Sequence, residues 1–317
     1  MCVTIFFSNS EMNLFRRSSQ LIVEQFGARI QKIPVDAGFT CPNLDGTLSL
    51  GGCIYCSNSS FSPFYADRKL SIKKQIEHGI NYFGKRYKCQ RFFAYFQSFS
   101  CTYAPAEVLE QRFAEAALID GIEGLVIATR PDCIDAETIR LLQKMQKQTH
   151  IRIEVGIESF NNKTLRLANR CHTSEQALST TALLKESGIG FTIHLIFGLP
   201  EEINDFPADY ARTISSCGCD MVKLHHLQVL KNSPLEKILA NNPDFVQLYS
   251  LSRYIDDLCR FIANLSPDIA IDRFINRVKP DNLLGPIFNI SNEGTFQGLV
   301  EDRLRELNLY QGIYYSK

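Results

Sequence analysis

The amino-acid sequence predicts an α/β protein: a partial (β/α)6 barrel, TIM-like in its winding, with a small C-terminal α+β extension. Three observations carry this. Between about 32 and 226, apolar strand candidates alternate with helical segments, which implies parallel βαβ units. The strands keep a strict phase, with polar residues on one face only, whereas a flat doubly wound sheet is apolar on both faces. Beyond about 230 the alternation stops and a helix, a strand and a terminal helix follow.

In chain order, residues 1–30 read as a helical lead-in, with the helix over 13–26. The core, 31–230, opens with a strand at 32–36. Further strands are expected at 92–99, 124–128, 151–157, 191–197 and 220–226. Pro105 suits the first turn of one intervening helix, Asp135 can cap the next, and Ser174 a third that ends at Gly188. In 151–158, Ile151, Ile153, Val155 and Ile157 share a face while Arg152, Glu154, Gly156 and Glu158 share the other. By the same phase Gln97, Glu154, His194, Lys223 and His225 line a polar lumen, unless they only pair with one another. The extension, 231–317, is expected to hold a long helix at 245–264, a strand at 269–275 and a helix at 295–307.

Composition excludes some functions. The 317 residues are 45% hydrophobic and 21% charged, and Lys+Arg equals Asp+Glu at 34, so global charge argues neither for nor against a nucleic-acid partner. No apolar run is long enough to span a bilayer. The N-terminus carries its charge after the apolar stretch, unlike a secretory signal, so a cytoplasmic protein with neither membrane nor DNA partner is expected. Eleven cysteines, an odd number, then argue for a metal site plus free thiols rather than a disulfide framework.

The most specific segment is GFTCPNLDGTLSLGGCIYCSN at 38–58, which spaces Cys41, Cys53 and Cys56 as C-x11-C-x2-C just after the first strand. Three thiolates leave one position short of a closed zinc site or a fully ligated cubane. An iron without a protein ligand can bind a small molecule, and the glycine-rich loop can donate N–H groups to cluster sulfides. The competing assignment is a three-thiolate zinc site with a distant fourth ligand such as His172.

This segment, with AYFQ, TRPDC, GIES, HLIFGLP and KLHHLQVLK in order behind it, resembles the radical S-adenosylmethionine (SAM) superfamily. The similarity is to the bacterial subfamily that resembles the radical SAM core of the Elongator catalytic subunit. The resemblance implies that Cys41, Cys53 and Cys56 hold a [4Fe–4S] cluster whose fourth iron takes SAM. It implies that Tyr55 contacts the adenine, that Gln97–Ser98 stands where the SAM amino group binds, and that Glu158–Ser159 reaches the ribose. It further implies that Arg170 pairs with the SAM carboxylate and that Gly198–Leu199–Pro200 passes under the adenine. The usual Gly-Gly-Glu motif is absent at Gln97, and Glu201–Glu202 replaces the common Gly-Glu after Pro200. The chemistry so implied is reductive cleavage of SAM to methionine and a 5′-deoxyadenosyl radical, which takes a hydrogen atom from a substrate carbon. A flavodoxin- or ferredoxin-like one-electron donor goes with it.

Gln97, Lys223 and His225 are the candidate catalytic groups, the last two able to donate a proton or bind an anion. Basic and aromatic residues interleave at 82–92 (Lys85, Arg86, Lys88 and Arg91 among Tyr82, Phe83, Tyr87 and Phe92) and near Arg273, Arg277 and Lys279, a pattern that fits a solvated helix face and equally suits RNA. The function expected is radical modification of a substrate carbon, with tRNA, at a wobble-uridine side chain, as the substrate the resemblance points to. Two other readings stand beside it. One is a radical enzyme acting on a small carboxylate clamped by Lys223 and Arg170, and the other a non-catalytic iron–sulfur or zinc RNA-binding module.

Overall fold

The computed structural model describes residues 13–57, 62–87, 90–202, 205–276 and 278–316, so Cys2, Lys88, Cys89 and Arg277 lie outside the described residues. One parallel sheet organises the chain. Its strands are β1 (Gln31–Val35), β2 (Phe92–Phe96), β3 (Ile122–Thr129), β4 (His150–Glu158), β5 (Gly190–Phe197), β6 (Met221–His226) and β8 (Ala270–Ile271), hydrogen-bonded in that order. Helices α2 (Ile72–Tyr87), α3 (Ala106–Ala117), α4 (Ala136–Gln146), α6 (Ser174–Ser187) and α7 (Phe206–Cys217) make the crossovers, which parallel neighbours require. The sheet curls into a half-barrel. Lys32 on β1 reaches Asp272, one residue past β8, at 3.1 Å, so its first and last strands meet across the lumen.

The seventh strand comes from the extension. Ala270 pairs with Met221 and Ile271 with Val222, so the strand expected at 269–275 shortens to two residues but joins the main sheet. The lead-in adds to the same edge. Arg17 bridges to Ile271, and the residues before it run beside β8. The first helix, α1 (Ser18–Phe26), therefore starts later than residue 13. It plugs the amino ends of the strands: Phe26 and Ile22 pack with Phe93, Tyr95 and Val126, and Leu21 packs with Met221 and Ala270.

Strand phase decides which residues fill the core. Leu125, Ile127, Ile151, Ile153, Val155, Ile157, Ile193, Leu195 and Leu224 are sealed beneath the helices. Their alternates, among them Tyr95, Glu154, His194 and Lys223, point inward. The caps shift some predicted starts. Asp135 does accept from the Thr138 amide, but α6 is capped by Thr173, whose hydroxyl and Gln176 form a reciprocal box, so Ser174 is its first residue. The long helix α9 (Leu251–Asn264) starts after the Ser250 cap because a 3-10 turn over Pro243–Phe245 occupies the stretch before it. The terminal helix α10 (Glu293–Glu306) starts at the Asn292 cap. The extension also holds α8 (Pro234–Asn241) and a small antiparallel pair, β7 (Val229–Leu230) with β9 (Leu283–Gly285).

Candidate functional site

The cysteine loop leaves the carboxyl end of β1 and is tied down from the far side of the sequence. Asn43 Nδ2 donates to the Asn169 carbonyl at 2.5 Å and lies 3.6 Å from Cys53 Sγ. Asn169 Nδ2 returns bonds to Gly52 O and Ser49 Oγ, both at 2.8 Å. Asn169 (φ 53°) and Cys171 (φ 60°) are left-handed, a conformation that short polar residues tolerate best. The kinks follow the short helix α5 (Asn162–Leu167) and drive Arg170 inward. There its Nη1 donates to Cys53 Sγ at 3.5 Å, its Nη2 donates to the Gly156 carbonyl, and its Nε donates to His172 Nε2 at 3.2 Å. His172 must then be neutral. Burial, and then the Arg170 charge, push it down to about 3. Arg130 Nη2 donates to the Arg170 carbonyl at 2.5 Å and completes the braces.

Beside this loop lies a cavity of about 860 Å³ that runs from the carboxyl ends of the strands into the lumen. Tyr55, Cys56, Gln97, Ser98, Glu158, Lys223 and His225 all line it. Glu158 enters because β4 shifts register between Gly156 and Glu158 and Glu158 takes φ 71°. Burial raises the pKa of this carboxyl, with Arg170, 4.0 Å away, opposing the shift. Five proposed SAM contacts do not line the cavity: Arg170, which is held on Cys53 and the Gly156 carbonyl, and Ser159, Gly198, Leu199 and Pro200. Once Glu158 turns in, Ser159 turns out, and its hydroxyl pairs with Tyr210 at 2.6 Å and Glu202 at 2.9 Å. Gly198 (φ 84°) backs onto the Tyr249 ring. Leu199 packs with Ile54 and Ala168, next to Tyr55, and the Pro200 carbonyl accepts from Thr164 Oγ1 at 2.8 Å. This turn supports the cysteine loop from below.

The floor of the lumen is a charged hub. Glu154, fully buried, accepts from Lys32 (2.6 Å), Lys223 (2.7 Å), Tyr95 (2.6 Å) and His194 (2.9 Å). Burial opposes its charge, but Lys223, Lys32 and His194 prevail and hold its carboxyl well below the usual range. Burial lowers Lys223 to about 8 against the attraction of Glu154. His194 falls to about 4 and His225 well below its usual value, both through burial first, with Lys223 and Arg273 respectively the leading charges that add to it. Both rings are thus neutral. The lumen polar residues do pair with one another at this depth, while Gln97 and His225 stand on the cavity wall above.

The proposed cofactors can be tested against these residues. Among the described residues no three Cys, His, Asp or Glu side chains converge as a preformed metal-ligand set. The match is one of chemistry and position. Two N–H donors, from Arg170 and Asn43, are directed at the Cys53 sulfur, as an anionic sulfur ligand requires. Glu158 Oε2, Tyr55 OH, Asn43 Oδ1 and Arg130 Nη1 are buried without a protein partner. Such groups cost stability unless a ligand satisfies them. Thiols for iron, a carboxylate for hydroxyls and a ring for adenine fit the cluster and SAM. Four of the other described cysteines are engaged elsewhere. Cys101 is buried and bonds the Ser98 carbonyl, Cys217 and Cys219 are buried on the helix side, and Cys259 sits in the core.

Sequence reasoning missed Lys32, Tyr95 and Asp272, although the phase argument reaches the first two: Lys32 alternates with Ile33, and Tyr95 shares a face with Gln97. Asn43, Asn169 and Arg130 carry no signal of their own, because their partners lie far away in sequence.

Comparison with known proteins places the family and the fold. The model of the Radical SAM superfamily matches residues 50–212, and that of the Radical_SAM C-terminal domain matches residues 219–306. The uncharacterized protein YtqA of Bacillus subtilis is 28% identical over 98% of this chain and 95% of its own. The tRNA uridine(34) acetyltransferase of Methanocaldococcus infernus is 26% identical over 50% of this chain and 31% of its own. The structure of the archaeal Methanocaldococcus infernus Elp3 with an N-terminal deletion shares the fold at a TM-score of 0.67 and 17% identity, over 89% of this chain and 64% of that one. No described helix is long and apolar enough to cross a membrane. With a family match over more than half its length, the chain belongs to the radical SAM superfamily, whose enzymes use a [4Fe–4S] cluster and SAM and need a reductant.

Proposed function

We propose that this radical SAM enzyme modifies a carbon of tRNA, the side chain of a wobble uridine being the target that best fits its relatives. The observation that carries the proposal is the composition of the cavity wall. Tyr82, Phe83, Arg86 and Tyr87 from the end of α2, and Arg273 and Lys279 from the extension, line the same cavity as Tyr55 and Cys56. A basic and aromatic cluster and a pair of cations, distant in sequence, thus meet at the open side of the half-barrel. Phosphates suit the cations and bases suit the rings. A volume of about 860 Å³ lies in the upper part of the roughly 300–1,000 Å³ range of ligand sites, with room for a cofactor and an inserted base.

When bound and reduced, the cluster with SAM supplies the one-electron chemistry that opens a substrate C–H bond. The protein supplies the surroundings. Cys41, Cys53 and Cys56 hold iron, Arg170 and Asn43 donate to sulfur, and Glu158 and Tyr55 offer partners to a ribose and an adenine. Gln97 and the neutral His225 present hydrogen-bonding groups to the substrate. Closure by α1 keeps water out from below. A flavodoxin- or ferredoxin-like protein is the proposed electron donor. The small-acid alternative requires Lys223 and Arg170 as a clamp. Lys223 is engaged by Glu154 and Tyr95, and Arg170 by Cys53 and Gly156, which favours the RNA reading. The test is anaerobic incubation of reconstituted protein with SAM and dithionite. 5′-Deoxyadenosine formation that rises on adding unmodified tRNA supports the proposal, and formation indifferent to tRNA but stimulated by small acids refutes it.

A further inference from the structure

The rings at the end of α2 form a continuous series. Phe64 meets Tyr82 at 5.8 Å, Tyr82 meets Phe83 at 5.1 Å, and Phe83 stacks on Tyr87 at 5.9 Å with planes 19° apart. Core packing does not account for it, since Phe64 is 79% exposed, Tyr87 55% and Tyr82 40%. The series is fixed from beneath. Tyr65, buried, touches Phe64, Tyr82 and Phe83 edge-on or tilted, and Gly79 lets α2 lie directly against Ile33 of β1. Arg86 stiffens its outer end, with its guanidinium over the Tyr87 ring at 5.6 Å and bonded to the Tyr82 hydroxyl at 3.3 Å.

Charge around the ridge is mainly positive, with Asp67 and Glu77 the exposed acidic residues near it. Between positions 68 and 87, Arg68, Lys69, Lys73, Lys74, Lys85 and Arg86 are all exposed, against one acidic residue, Glu77. A row of largely exposed rings within a mainly cationic surface suits a polyanion that carries flat apolar groups. A paired helix hides its base faces, whereas a single strand offers them.

We infer that the Phe64–Tyr82–Phe83–Tyr87 ridge is a stacking platform for unpaired RNA bases, placed so that a neighbouring nucleotide can enter the cavity. The inference rests on the RNA reading above and deepens it, from tRNA in general to a single-stranded loop held through base faces. Tyr82, Phe83 and Tyr87 line the cavity themselves, so a strand laid on the ridge continues toward Tyr55 and Cys56. Arg273 and Lys279 line the same cavity and are available to phosphates.

The chain contains no tryptophan, which supplies a direct test. Tyr87→Trp in the full-length protein introduces a sole indole, which a stacked base quenches. Short single-stranded RNA should quench it, and a duplex of the same sequence should not. Tyr87→Ala and Tyr82→Ala should each weaken single-strand binding by about 5- to 150-fold, the effect of losing one base–ring stack, whereas Tyr87→Phe should retain it. Circular dichroism of each variant shows that the exposed ring was not needed for folding. Wild-type binding of single strands with no quenching and unchanged affinity in both alanine variants overturns the platform but leaves the RNA reading intact. Equal quenching by duplex also overturns it. Failure of the wild type to bind either single strands or tRNA overturns both.

Discussion

Glu154→Gln isolates the hub beneath the cavity. The substitution conserves shape but removes the negative charge on which Lys32, Lys223, Tyr95 and His194 converge within 2.9 Å. Lys223 is 2% exposed, so its ammonium cannot turn to water. Breaking a buried pair from one side costs about 3–5 kcal/mol, and the amide also presents an N–H toward cations. The dependence on pH follows from two shifts of opposite kind. Glu154 is depressed, so its stabilisation is present above the unfolded value near 4.5 and is lost as pH falls through the lower folded value. Lys223 is also depressed, to about 8 from 10.5. The folded state therefore disfavours its charge, and its unfavourable contribution fades as pH rises from about 8 toward 10.5. Above about 8, Lys223 gives up its proton and the attraction lost in Glu154→Gln shrinks. Urea unfolding at pH 6.5 and pH 9 should show the larger loss at pH 6.5. Glu154→Gln combined with Lys223→Met should recover part of the stability by removing the stranded charge. A loss below about 1 kcal/mol at pH 6.5, or one independent of pH, would refute the hub as a buried ionic brace.

Other outcomes follow from the same packing and donor geometry. Cys41→Ala, Cys53→Ala and Cys56→Ala should each lose most iron after anaerobic reconstitution, whereas Cys259→Ala, in the core beside the Val300 carbonyl, should keep it; iron content by colorimetric assay decides. Asn43→Ala removes the tie to the Asn169 carbonyl and a donor to Cys53, so it should lose iron faster on chelation and cost about 1–3 kcal/mol; unchanged iron release contradicts this. Gly79→Ala places a methyl 2.3 Å from Ile33 Cγ2, and overpacking of this kind costs about 1–3 kcal/mol, measurable as a lower urea midpoint.

Much of the barrel is written in local pattern. The alternation of Ile151, Ile153 and Val155 with Arg152 and Glu154 assigns the faces of β4, and the cysteine spacing marks the loop. What the pattern does not carry is the long-range closure. Two residues at 270–271 join the sheet because β6 leaves an open edge, and Arg17 uses the edge of β8 in turn. At the site, strand phase already puts Glu158 on the lumen face, but no glycine marks its φ of 71°. The resemblance grouped Ser159 with it, whereas the Ser159 hydroxyl turns outward to Tyr210 and Glu202. The Asn43–Asn169 tie was equally invisible, because each asparagine reads locally as an ordinary turn residue.

The central claim is that this cavity serves tRNA, and the most direct measurement is of tRNA itself. Nucleosides from total tRNA of cells with and without the gene, separated and weighed by mass spectrometry, should differ in one modified uridine. Its unmodified or partly modified precursor should accumulate when the gene is absent, and a plasmid copy carrying Cys53→Ala should fail to restore it where the wild type succeeds. Identical nucleoside profiles in the two strains would contradict the assignment of tRNA as the substrate.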